Sequence, residues 1–82
     1  MDNITPKQAD VVKEMARQDL GRTMTQIGEA CGIEHFKASS WAASALKSLM
    51  QRGYVTRSVA EDGRILYSLT LTGIRLAQDL MS

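Results

Sequence analysis

Apolar residues recur at helical spacing over the first quarter of the chain. Ala9, Val12, Ala16 and Leu20 follow one face, with Val11 and Met15 beside them. Ahead of them, Thr5-Pro6-Lys7-Gln8 reads as a helix start. Thr5 can cap, Pro6 suits the first turn, and Gln8 completes a capping box. A first helix is expected over about residues 6–20, stopped at Gly21. Thr23-Met24-Thr25-Gln26 repeats the capping-box spacing. Ile27, Ala30 and Cys31 then give a short apolar face before Gly32, a natural residue for leaving a helix, so a second helix is expected over about 24–31. Gly28 lies inside it at a cost of about 1 kcal/mol against Ala, which close packing against a neighbouring helix would justify.

After the turn Gly32-Ile33-Glu34, a longer helical pattern begins. Ala38, Ala42, Ala45, Leu46 and Leu49 share one face, and Ser40, Ala43, Ser44, Lys47 and Gln51 the other. The third helix is expected over about 36–52, ending at Gly53. The period then changes to two, with Val55 and Val59 flanking Arg57 in the stretch 54–60. Glu61-Asp62-Gly63-Arg64 contains Asp-Gly, a two-residue hairpin turn signal. A returning strand places Ile65, Tyr67, Leu69 and Leu71 on one face. Thr72 then caps a last helix, about 73–81, with Ile74, Ala77, Leu80 and Met81 apolar. The expected fold is mainly α with a small β-hairpin, in the order α-α-α-β-β-α. A short second helix, a glycine turn and a longer third helix match a helix-turn-helix, and the hairpin makes it winged.

The residues then resemble a known family. Thr25-Gln26-Ile27-Gly28-Glu29-Ala30-Cys31-Gly32-Ile33 is similar to the first helix and turn of bacterial helix-turn-helix repressors. Leu46-Lys47-Ser48-Leu49-Met50-Gln51-Arg52-Gly53-Tyr54-Val55 resembles the end of a recognition helix and the start of a wing. Glu61-Asp62-Gly63-Arg64 and Leu69-Thr70-Leu71-Thr72-Gly73 resemble the wing tip and post-wing segment of multiple-antibiotic-resistance-type (MarR-like) winged helices. The resemblance covers roughly residues 20–80. It implies a transcriptional regulator that binds duplex DNA sequence-specifically; a homodimer is expected because one copy offers few cations, and a cytoplasmic location because the chain has one cysteine and no signal-peptide pattern. Full-length regulators of that family carry long extra helices for dimerisation, and this chain has almost none.

Size and composition narrow the remaining classes. The chain has 82 residues, 44% apolar and 23% charged, with a net charge of +1, near the averages for a globular protein. One domain spanning 1–82 is expected, because a second needs on the order of 50 more residues. Folding at this size buries only about 60–65% of the unfolded surface, which disfavours a large catalytic cleft. No apolar run approaches the ~18 residues of a membrane span, and Met1-Asp2-Asn3-Ile4 shows no signal-peptide pattern. Cys31 and His35 alone cannot close a zinc site, and the single cysteine allows no intrachain disulfide. No catalytic motif appears, so neither an enzyme nor a cofactor is expected.

Charge is unevenly placed. Residues 1–34 hold four Lys/Arg against six Asp/Glu, and residues 61–82 hold two against three. Residues 35–60 hold Lys37, Lys47, Arg52 and Arg57 with no acid. Those are the third helix and first wing strand, the elements a winged helix presents to a duplex. With the third helix in the major groove, Ser39, Ser40, Ser44 and Lys47 are expected near base edges and phosphates, and Ala43 near a thymine methyl. Lys37, Arg52 and Arg57 are expected on phosphates, and wing-tip Arg64 in or beside the minor groove. Thr25 and Gln26 would offer backbone N–H groups to a phosphate. Against this stand the near-neutral pI of about 7.9 and the lack of Arg, Asn or Gln early in the third helix.

A protein-interaction winged helix, or an inhibitor without DNA binding, is the alternative. It draws on the Ser/Ala-rich third helix and on Phe36, which either caps the turn between the helices or meets a partner. Trp41 is expected to be a partly buried packing residue, His35 a solvated turn residue and Cys31 a buried structural thiol. Met15, Met24 and Met50 read as core filling, and Met81 as packing with the terminal helix. Dimerisation through the first and last helices would use Val11, Met15, Leu76, Leu80 and Met81, which are more apolar residues than one small core needs.

Overall fold

The computed structural model describes residues 4–17 and 21–82. Its elements are α1 (Pro6–Met15), α2 (Met24–Ala30), α3 (His35–Gln51), β1 (Val55–Val59), β2 (Ile65–Leu69) and α4 (Leu71–Met81). This is the winged helix-turn-helix order that the hydrophobic pattern predicts. The first helix ends at Met15 with Ala16 as its cap, short of the expected end near 20; Leu20 and its place on the apolar face lie outside the described residues.

Both capping boxes form. Gln8 N donates to Thr5 Oγ1 and Thr5 N to Gln8 Oε1, and Thr23 and Gln26 make the same exchange at α2. Each box satisfies amides that a helix start leaves without partners. Gly32 and Gly53 leave α2 and α3 in the left-handed region, φ +86° and +83°, where a side chain would be strained. His35 is the first residue of α3 rather than part of the turn before it. Its exposed ring places Nδ1 3.2 Å from Glu29 Oε2, tying the end of α2 to the start of α3.

The core is built where the faces meet. Val11, Val12 and Met15 of α1, Ile27 of α2 and Ala42, Ala45, Leu46 and Leu49 of α3 pack with Tyr54, Val55, Tyr67 and Ala77. Trp41, Met24, Met50 and Cys31 are half-buried against this cluster. α2 and α3 cross closely because Gly28 has no side chain: a Cβ there would overlap the Ala38 carbonyl. That is the close packing its position inside a short helix calls for.

The hairpin differs from expectation at its tip. β1 and β2 pair antiparallel from Val55↔Leu69 to Val59↔Ile65. Ala60 N donates to Arg64 O at 2.8 Å and Gly63 N to Ala60 O at 2.9 Å, so three residues, 61–63, make the loop. A two-residue Asp-Gly turn of type I′ needs positive φ at both positions, but only Gly63 has it (φ +88°). A segment outside the hairpin also joins it. Arg22 and Tyr67 exchange backbone hydrogen bonds of 3.1 and 2.7 Å, forming a third, one-residue rung.

The last helix starts two residues early. Thr70, not Thr72, is its cap: Thr70 Oγ1 accepts from Gly73 N at 3.1 Å and donates to Gly53 O at 2.6 Å. Leu71 therefore leaves the strand and becomes the first residue of α4, 67% exposed. Ile74 and Met81 are also exposed, at 44% and 54%, so Met81 does not pack into the terminal layer as expected. Leu71, Ile74 and Met81 recur at helical spacing and make an uncovered apolar stripe. Val11 and Met15, expected to contribute to a dimer face, are instead in the chain's own core.

Candidate nucleic-acid interface

α3 buries one side through Ala38, Ala42, Ala45, Leu46 and Leu49. Phe36, Ser40, Ala43 and Lys47 follow one another at three- or four-residue steps on the opposite side, with Ala43 half-buried and the others exposed. Gly53 turns the chain from α3 toward β1; Arg52, the cap of α3, and Arg57, in mid-strand, are both exposed.

The serines are less available than their exposure suggests. Ser40 Oγ donates to its own helix at Lys37 O, 3.2 Å away. Ser39 Oγ lies 3.7 Å from Met24 Sδ, on the flank toward α2. Ser44 Oγ accepts from Lys7 Nζ at 3.3 Å, on the flank toward α1. The same ammonium stands 4.7 Å from the centre of the Trp41 ring, and Gln8 Nε2 donates to Ser48 Oγ at 3.1 Å. Lys7 is thus a cation beside α3 that sequence reasoning missed. It was counted in the acidic first segment, and only the packing of α1 on α3 brings it here.

Lys37 and Lys47 are exposed, and Lys37 Nζ lies 5.3 Å from the Phe36 ring centre. Phe36 itself is 76% exposed and does not cap the turn between α2 and α3. Arg64 is tethered at the wing tip: its Nε donates to Asp62 Oδ2 at 2.7 Å and its N to Oδ1 at 3.0 Å. The Arg64 amide, and then its guanidinium, hold the Asp62 carboxyl below its ordinary value. A minor-groove contact would draw on the Nη groups of Arg64, with Nε held by Asp62. Of the two α2 residues expected to present free amides, Gln26 already donates its N–H to Thr23 Oγ1.

Cys31 ends α2 away from this surface. Burial, and then the carboxylates of Glu14 and Asp10, push its thiol above the ordinary value, so it is protonated at neutral pH. A cavity of about 240 Å³ beside it is lined by Asp10, Lys13, Glu14, Arg17, Ala30 and Cys31. Arg22, which the sequence shows only as one of the cations of the first segment, is only 8% exposed and donates from Nη2 to Glu14 O at 3.0 Å near the end of α1. No helix among the described residues is long and apolar enough to cross a membrane.

No protein-family profile matches the chain, and no curated sequence does. Solved structures do. MepR of Staphylococcus aureus, a transcription regulator of the multidrug efflux pump MepA, superposes with a TM-score of 0.83 at 22% identity, over 96% of this chain and 56% of that one. A single-substitution variant of MepR, solved bound to an oligodeoxyribonucleotide, gives 0.81 at 23% over 95% and 56%. PcaV of Streptomyces coelicolor, a transcriptional regulator in complex with its natural ligand, gives 0.82 at 24% over 98% and 55%. A MarR-family regulator from Silicibacter pomeroyi gives 0.80 at 20% over 95% and 50%. The chain spans about half the length of these proteins. From the capped α2 through the glycine turn, α3 and the hairpin to α4, it has the winged helix-turn-helix fold of MarR-family transcriptional regulators.

Proposed function

We propose that the chain is the DNA-binding unit of a cytoplasmic transcriptional regulator, with α3 in the major groove and the wing on the backbone or minor groove. The observation that carries this reading is the acid-free run from residue 35 to 60, whose Lys37, Lys47, Arg52 and Arg57 are all exposed on the fold's helix-turn-helix and first wing strand. Lys37, Arg52 and Arg57 would hold phosphates, with Lys47, Ser39 and Ser40 nearest base edges. Ser44 and Lys7 would act together at the flank toward α1, and Arg64 at the wing. The MepR variant solved bound to an oligodeoxyribonucleotide supports DNA as the partner.

A homodimer through the outer side of α4 completes the proposal, because the core takes Val11 and Met15 of α1. One domain offers few cations, and two copies double them on adjacent half-sites. The stripe of Leu71, Ile74 and Met81 supplies the apolar contact. The second reading, a protein-binding winged helix, is favoured by one observation: Phe36 exposes most of an aromatic ring.

Fluorescence anisotropy with a random-sequence duplex separates the two. Lys37→Ala and Arg57→Ala are expected to weaken binding to all sequences alike, as phosphate contacts do. Unchanged affinity in the double variant would remove α3 and the wing from the DNA surface.

A further inference from the structure

The outer face of α3 poses a problem of recognition. Between residues 36 and 50 there is no Arg, Asn or Gln, the side chains that read bases by paired hydrogen bonds. Each of the three serines is already engaged, Ser40 with Lys37 O, Ser39 with Met24 Sδ and Ser44 with Lys7 Nζ. What the face does present is an aromatic ring. Phe36 is 76% exposed on the first turn, on the same side as Ser40, Ala43 and Lys47. The other large ring of α3, Trp41, is half-buried beneath Lys7 Nζ.

In a major groove, the apolar group that distinguishes one base pair from another is the C5-methyl of thymine. Beside the ring stands a cation, with Lys37 Nζ 5.3 Å from its centre, and no acid follows until Glu61. A ring with an ammonium next to it suits a methyl edge flanked by a phosphate. It suits an apolar pocket on a protein less well, because burying the ring there would also strip water from Lys37.

We propose that Phe36 is the specificity-determining residue of this face: its ring packs on a thymine methyl in the major groove, while Lys37 meets the flanking phosphate. The proposal rests on the DNA-binding reading above. Recognition is then by shape and methyl contact, with Lys47 as the polar reader, and the preferred duplex carries thymine under the first turn of α3.

The test uses a duplex selected from a random library and a copy of it in which every thymine is replaced by uracil. The copy keeps each hydrogen-bonding edge and loses only methyl groups. The full chain is expected to bind the uracil copy about four-fold more weakly for each contacted methyl, the transfer value of one buried methylene. Phe36→Ala should melt with the wild type, since the ring is exposed, and should at least halve the thymine-to-uracil ratio. Lys47→Ala should weaken both duplexes and leave the ratio unchanged. Equal affinity of the wild type for both duplexes, or a full ratio in Phe36→Ala, overturns the methyl contact while DNA binding stands. Failure to bind any duplex at about 50 mM salt overturns both, and assigns the exposed ring to a protein contact.

Discussion

Gly28 is the residue on which the helix-turn-helix angle depends. A methyl group there would overlap the Ala38 carbonyl, which is backbone and cannot swing aside. Gly28→Ala gains helix propensity yet is expected to destabilise the protein by about 3 kcal/mol, the upper range for overpacking. At this size that lowers the melting temperature by roughly 12–24 °C, readable by circular dichroism. Equal or higher stability would mean α2 and α3 sit further apart than described. The need for a small residue at Gly28 was legible, because a glycine inside a short helix must be offset by something. The burial of Arg22 was not. In sequence it is one more cation. Its enclosure follows from the backbone rung with Tyr67, a contact 45 positions away, and its Nε finds no partner. The Ser44–Lys7 pair was hidden for the same reason: 37 positions separate its members.

Among the elements, the helix starts were legible where their chemistry is local. Thr5 with Gln8 and Thr23 with Gln26 each lie three residues apart, so the sequence alone writes both capping boxes. The start of α4 was misread because Thr70 and Thr72 are equivalent on local grounds. What separates them is the Gly53 carbonyl, which accepts from Thr70 Oγ1, and the Tyr54 carbonyl, which accepts from Thr70 N at 3.0 Å. Thr70→Ala is therefore expected to cost about 1–2 kcal/mol in urea unfolding, as loss of a cap does. Thr72→Ala, on an exposed residue of the first turn, should stay within about 0.5 kcal/mol. The reverse order would restore the later start. Asp-Gly misled in a similar way. It marks a turn correctly, but both I′ turns and three-residue loops ending in a left-handed glycine accept it. The bond from Gly63 N to Ala60 O selects the second.

At the scale of the whole molecule, the alternation of periods made the fold order legible, while the surfaces had to wait for packing. Helical spacing alone could not divide Val11 and Met15, which the core takes, from Leu71, Ile74 and Met81, which it leaves in water. That division puts the proposed dimer contact on the outer side of α4 alone. Ile74→Glu is expected to leave the melting curve of a dilute sample nearly unchanged and to yield a monomer in sedimentation where the wild type is a dimer. A wild-type monomer at high concentration would contradict the dimer. The proposed DNA surface rests on a run of charge that is visible in the sequence, since four cations without an acid occupy a single stretch of chain. Lys7 and the Asp62–Arg64 pair then adjust it, adding a cation beside α3 and restraining one at the wing tip.

The most direct test of the central claim, that this chain grips duplex DNA through its third helix and wing, is a titration with random-sequence duplex at two salt concentrations. With three phosphate contacts, from Lys37, Arg52 and Arg57, affinity should fall about 40-fold between about 50 and about 200 mM salt, and Lys37→Ala and Arg57→Ala should each lower the slope by about one. Absence of binding at the lower salt, or binding indifferent to salt, would contradict the account.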